Sequence, residues 1–205
     1  MNYFFRYNIF LLKKISMKKI ISIYGRAAAG KTTQANLLQE KYGFHQFGMG
    51  ERLRAEIESG SELGQKMKPY VDAGTLIPDE LMEKTLGNVF VETKESGLMF
   101  DGFPRMIGQA EMMEEALKES GSELDVMFYL NVSTEEAVER IQARAEATGR
   151  EDDKNPEVVR TRLAVFDQES IAVLDYYRQA GKLIELDGEE SIEEIFKKIC
   201  TEIEK

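Results

Sequence analysis

Residues 25–32 read Gly-Arg-Ala-Ala-Ala-Gly-Lys-Thr, the pattern GxxxxGK[ST]. Small residues let a backbone curl until its N–H groups point inward, which suits phosphate oxygens. A helix starting at the loop's end adds partial positive charge. In this pattern Gly25, Ala28, Ala29 and Gly30 shape the loop. Lys31 supplies a point charge for β- and γ-phosphates, and a hydroxyl from Thr32 or Thr33 can ligate Mg²⁺. The spacing predicts binding of a nucleoside triphosphate and leaves the acceptor open.

Arginines supply the second signal. Phosphoryl transfer between nucleotides gathers negative charge, and guanidinium forks answer it better than lysines. Arg140 and Arg144 are i,i+4 and share a helix face. Arg162 sits beside the apolar stripe at Leu163 but off its centre. Arg54 and Arg105 follow the expected second and third strands.

The elements that must position these groups alternate. Short apolar runs at 20–24, 44–47, 98–101, 126–131 and 183–186 predict five strands. Helical patterns are expected over 32–42, 51–59, 62–73, 79–93, 109–119, 134–147, from Pro156 onward, and over 192–203. Residues 148–155 (TGREDDKN) predict a polar loop. The alternation implies an α/β fold, with a parallel sheet covered on both faces and the ligand beyond the strands' carboxyl ends.

Composition narrows the partners. The chain has 205 residues, a net charge of −10 and one cysteine. Long-range attraction to nucleic acid or an anionic membrane is not expected. No disulfide framework or Cys-rich zinc site can form within one chain, which fits a reducing, cytoplasmic setting. No run is long enough to span a membrane. Residues 1–16, MNYFFRYNIFLLKKIS, read as an extension before a natural start at Met17; an organelle-targeting segment is the other reading. His45, the only histidine, reads as structural.

Four segments in order resemble the adenylate kinases. Residues 25–35 (GRAAAGKTTQA) are similar to the family's GxPGxGKGTQA, and 48–54 (GMGERLR) to STGDLLR. Residues 101–109 (DGFPRMIGQ) resemble DGFPRTxxQ. Residues 140–144 (RIQAR) with 149–153 (GREDD) resemble the start and end of the family's lid. The likeness runs from Lys18 to the C-terminus. It implies a P-loop NTPase-type three-layer αβα domain over 17–205, with a helical acceptor lobe over about 48–77 and a short lid over about 146–156. The implied reaction is reversible transfer of the γ-phosphoryl of Mg·ATP to AMP, giving two ADP.

The resemblance also implies roles. Arg54 and Arg105 would hold the acceptor phosphate. Arg140 would pack on the ATP adenine, with the turn at Gly188 nearby, and Arg144 would reach the ATP phosphates. Arg150 and Arg162 would clamp the transferring group. Asp101 would orient Mg²⁺ through water. Gln109 would read the adenine edge, Met49, Thr75, Leu76 and Ile77 would line the acceptor base, and Gly102, Phe103 and Pro104 would adjoin Arg105. A short lid implies no zinc module, and the family implies a monomer.

Two departures bear on these roles. Ala27-Ala28 replaces the family's Pro-Gly, and an alanine at positive φ would be strained by about 1 kcal/mol. Met49 replaces a threonine beside the acceptor base, which keeps UMP and CMP open as acceptors beside AMP. A nucleotide-binding sensor without turnover and a P-loop kinase for another small molecule are rival readings. The full arginine set argues against the sensor, and DGFPR with Gln109 against the other kinase.

Overall fold

The computed structural model describes residues 19–86 and 97–205. Strand β1 (Ile20–Gly25) is followed by helix α1 (Lys31–Tyr42), β2 (His45–Gly48), α2 (Met49–Glu58), α3 (Glu62–Ala73) and α4 (Asp79–Leu86). After β3 (Leu98–Asp101) come α5 (Ile107–Glu119), β4 (Val126–Asn131), α6 (Thr134–Thr148), α7 (Glu151–Lys154), α8 (Pro156–Gln179), β5 (Leu183–Asp187) and α9 (Ile192–Ile203). The expected extension over 1–16, and the part of the expected helix at 87–93, lie outside the described residues.

All five strands are parallel, in the order β2-β3-β1-β4-β5. Because β1 is central, the chain leaves it for one half of the sheet and later returns to the other. That reversal opens a crevice at the carboxyl ends. Cross-strand register places Gly48 beside Asp101, Asp101 beside Ile23, and Gly25 beside Leu130.

Alternation along β1 builds two cores. Ile21 and Ile23 face α1 and α9, where Leu38, Ile195 and Ile199 are buried. Tyr24 faces the other way, with Phe103, Met113, Val173 and Tyr177. Helix starts carry side-chain caps where the sequence offers them. Ser133 accepts from the Glu136 N–H, Asn155 from the Glu157 N–H, and Ser191 with Glu194 forms a capping box.

One expectation needs correction. The polar stretch 148–155 is not all loop: Gly149, at φ 69°, ends α6, and Glu151–Lys154 forms the single turn α7. Three consecutive acids favour a helix N-terminus, but four residues are too few to show a period. Other differences are shifts of one or two residues at element ends; α2, for example, starts at Met49, two residues before the expected start at 51.

Candidate active site

The phosphate loop leaves β1 where no side chain fits. A Cβ at Gly25 would lie 2.7 Å from the Leu130 carbonyl oxygen on β4. Ala28 adopts φ 61°, the left-handed region in which alanine is strained. Gly30, at φ 90°, precedes the first turn of α1. The Lys31 ammonium folds back over the loop, donating to the carbonyls of Gly25 (2.8 Å) and Arg26 (2.6 Å). Arg26 ties the loop to α8: its guanidinium donates to Asp167 Oδ1 at 2.6 and 3.0 Å and lies 5.5 Å from the Phe166 ring centre. The Thr32 hydroxyl donates to Asp101 Oδ2 at 2.6 Å. Thr33 is exposed and does not line the cavity described next.

A cavity of about 220 Å³ opens in front of this loop. Gly25, Ala28, Lys31, Thr32 and Asp101 form its sheet side. Arg54 on α2 and the segment Thr75, Leu76 and Ile77 form a second side, and Arg144 on α6, Arg150 before α7 and Arg162 on α8 form a third. Gly102, Arg105 and Gln109 line the floor between them. The turn at Gly102 takes φ 73°, and Arg105 Nε donates to the Gly102 carbonyl at 2.9 Å. Gln109 Oε1 accepts from the Arg105 N–H at 2.9 Å. The Gln109 amide nitrogen is buried and has no hydrogen-bond partner among the described residues. A buried donor in that state calls for an acceptor such as a water or a ligand.

Two aspartates on α7 gather these three arginines. Asp153 receives Arg144 through both oxygens, at 2.7 and 3.0 Å, and Arg162 at 2.8 Å. Asp152 receives Arg150 through both oxygens at 2.6 and 2.7 Å, and lies 3.1 Å from Arg162. Burial works to raise both carboxyls, but the hydrogen bonds and charges of these arginines hold them below the ordinary carboxylate range. Three cations are thus gathered by two anions, leaving a net positive face toward the cavity.

Elsewhere the cations are unbalanced. Burial lowers Lys31 to about 7; Asp101 opposes that shift, while Arg105, Arg144 and Arg162 add to it. Burial, then Arg162, lowers Arg105 to about 10, and burial and Arg150 lower Arg54. Such crowding marks a site shaped for a polyanion.

Some expected residues stand apart from the cavity walls. Arg140 bonds Glu136 at 2.6 Å and the Gly188 carbonyl at 2.9 Å, so Arg140 and Gly188 meet at the edge of β4 and β5. Ala29 and Phe103 are buried supports, as is Pro104. Gly30 shapes the loop without lining the cavity. Met49 is fully buried in the core, and its neighbours Gly48 and Gly50 face the cavity in its place. Tyr24, Val165 and Phe166 also line the cavity; none belongs to a local motif, and in sequence Tyr24 looks like a strand residue and the other two like helix residues. Asp152 lay within the lid pattern GREDD but carried no expected role.

A family model described as adenylate kinase matches residues 23–182. The chain is 43% identical over 185 residues to an adenylate kinase of Bacteroides fragilis, covering 90% of this chain and 97% of that protein. An adenylate kinase of Bacteroides thetaiotaomicron is 41% identical over 186 residues (90% and 98%), and one of Caulobacter vibrioides 42% over 183 (89% and 95%).

Proposed function

This chain belongs to the adenylate kinase family, and on that premise we propose how its residues carry out the reaction ATP + AMP = 2 ADP. The carrying observation is convergence. In a chain of net charge −10, Lys31, Arg54, Arg105, Arg144, Arg150 and Arg162 meet at one cavity with the Gln109 amide on its floor.

ATP lies with its phosphates on the loop 25–32, against Lys31 and Arg144, and its base by Arg140 and the Gly188 turn. AMP lies under the lobe of residues 48–77, its phosphate on Arg54 and Arg105. The backbone of Thr75, Leu76 and Ile77 borders the base, beside Gly102. The free amide N–H of Gln109 suits a ring nitrogen acceptor of adenine; the N–H of uracil would meet it donor to donor. Arg150 and Arg162, steadied by Asp152 and Asp153, draw the phosphates into line. In-line transfer needs little covalent help from protein, so positioning and charge account for the rate. The lid of residues 146–156 excludes water that would otherwise compete as acceptor.

The residues fit Mg²⁺. Thr32 and Asp101 present hard oxygen donors, already 2.6 Å apart, beside the phosphate loop. Bound there, the ion would offset charge on the ATP phosphates. Thr32 is favoured over Thr33 because it faces the cavity. Action as a monomer is part of the same proposal and rests on the likeness to the family. A cytoplasmic setting accords with the buried free thiol of Cys200; no helix among the described residues is long and apolar enough to cross a membrane.

The test is a coupled assay with Mg·ATP and AMP, CMP, UMP, GMP or dAMP. AMP should be much the best acceptor. Lys31→Met should lower kcat by roughly 10²–10³-fold while the thermal transition stays cooperative. A preference for UMP would overturn the role of Gln109, a preference for CMP would overturn AMP as the acceptor, and normal turnover by the Lys31 variant would overturn the role of the loop.

A further inference from the structure

Tyr24 is 1% exposed, yet it borders the cavity. Its hydroxyl has no hydrogen-bond partner among the described residues. A buried, unpaired hydroxyl costs free energy that a ligand can recover.

Its direction follows from strand geometry. Side chains at i and i+2 share a face, so Tyr24 lies on the same side of β1 as Ser22. The Ser22 hydroxyl donates to the Phe103 carbonyl at 2.7 Å. Tyr24 stands one step further toward the carboxyl end of the strand, at the turn carrying Gly102 and Arg105. The Gly102 N–H bonds the Ile23 carbonyl at 3.0 Å and fixes that turn against β1. The tyrosine ring packs against Tyr129, at 6.0 Å between ring centres, and Phe166, at 5.3 Å.

We propose that the Tyr24 hydroxyl donates a hydrogen bond to the acceptor's phosphate, alongside Arg105. Burial pushes the hydroxyl's pKa up, so it keeps its proton, and Arg105 is the charge acting most strongly on it. The inference rests on the reading that Arg105 holds the acceptor phosphate.

Calorimetric titration of AMP and of adenosine into wild type, Tyr24→Phe, Tyr129→Phe and Arg105→Ala tests it. Phenylalanine keeps the ring and removes only the hydroxyl. Tyr24→Phe should weaken AMP roughly tenfold and leave adenosine, which has no phosphate, unchanged. Its KM for AMP should rise while that for ATP holds. Tyr129→Phe, whose hydroxyl already pairs with Asn131 at 3.2 Å, should match wild type. Unchanged AMP binding by Tyr24→Phe, or equal loss for adenosine, overturns the proposal. If Arg105→Ala alone weakens AMP, the tyrosine role fails and the acceptor site stands. If neither variant does, both fail.

Discussion

Ala28 holds a backbone conformation, φ 61°, that a Cβ disfavours. The family pattern has glycine there, so the strain foreseen from sequence is present in the loop. Opposing it, glycine loses more conformational freedom on folding. Ala28→Gly should still raise stability, by roughly 0.5–1 kcal/mol, because relief of the left-handed strain exceeds that entropy. Ala29 is buried and not at positive φ, so Ala29→Gly should instead destabilise by at least a similar amount. Urea unfolding of the two variants checks the contrast, and destabilisation by both would discount the strain.

Between elements, contact distances are set by glycines where helices touch. At Gly74, the residue closing α3, an added Cβ would meet the Val158 carbonyl oxygen at 2.8 Å and Arg162 Cγ at 2.9 Å, at φ +73°. The end of α3 therefore rests on α8 beside an arginine assigned to the transferring phosphate. Gly74→Ala must push one from the other. Stability should fall by roughly 1–3 kcal/mol. Turnover should fall by roughly tenfold to a hundredfold, since ångström misplacement of a catalytic group is that costly. Steady-state kinetics well below the melting transition separate the two effects; an unchanged kcat would show that the contact plays no part in catalysis. The Arg26–Asp167 pair acts likewise between elements, tying the loop to the same helix.

At the scale of the molecule, six cations from separate parts of the chain share one cavity, and Lys31 bears the consequence. Its pKa falls from 10.5 to about 7 in the folded protein. Below about 7 the lysine is charged in both folded and unfolded chains, and its burial penalty is felt in full. Between about 7 and 10.5 the unfolded chain holds the extra proton, so this group's contribution to stability rises with pH. Triphosphate favours the charged lysine, so binding at about pH 8 should take up a proton, and affinity for ATP should weaken as pH rises further, by up to about tenfold per unit. Calorimetry in buffers of different ionisation enthalpy measures that uptake. Zero uptake at about pH 8 would mean that Lys31 is already charged in the free protein.

Much of this was legible in the chain. The phosphate loop, DGFPR, and the arginines of the lid are local patterns: their meaning depends on neighbours a few residues away, so spacing alone exposes them. Five strands and the parallel sheet followed from alternation of short apolar runs with helical periods. Other features depend on residues far apart in sequence. Met49 could be placed beside a base by pattern, but packing of α2 on the sheet put it in the core, because a long apolar side chain gains more there than at a polar wall. Tyr24 looked like any strand aromatic until Phe166, 142 positions on, packed on its ring and the fold left its hydroxyl without a partner on a residue that borders the cavity. Asp152 and Asp153 acquired their role only where α6, α7 and α8 meet, since the pairing of charges is decided by three-dimensional distance and desolvation rather than by order along the chain.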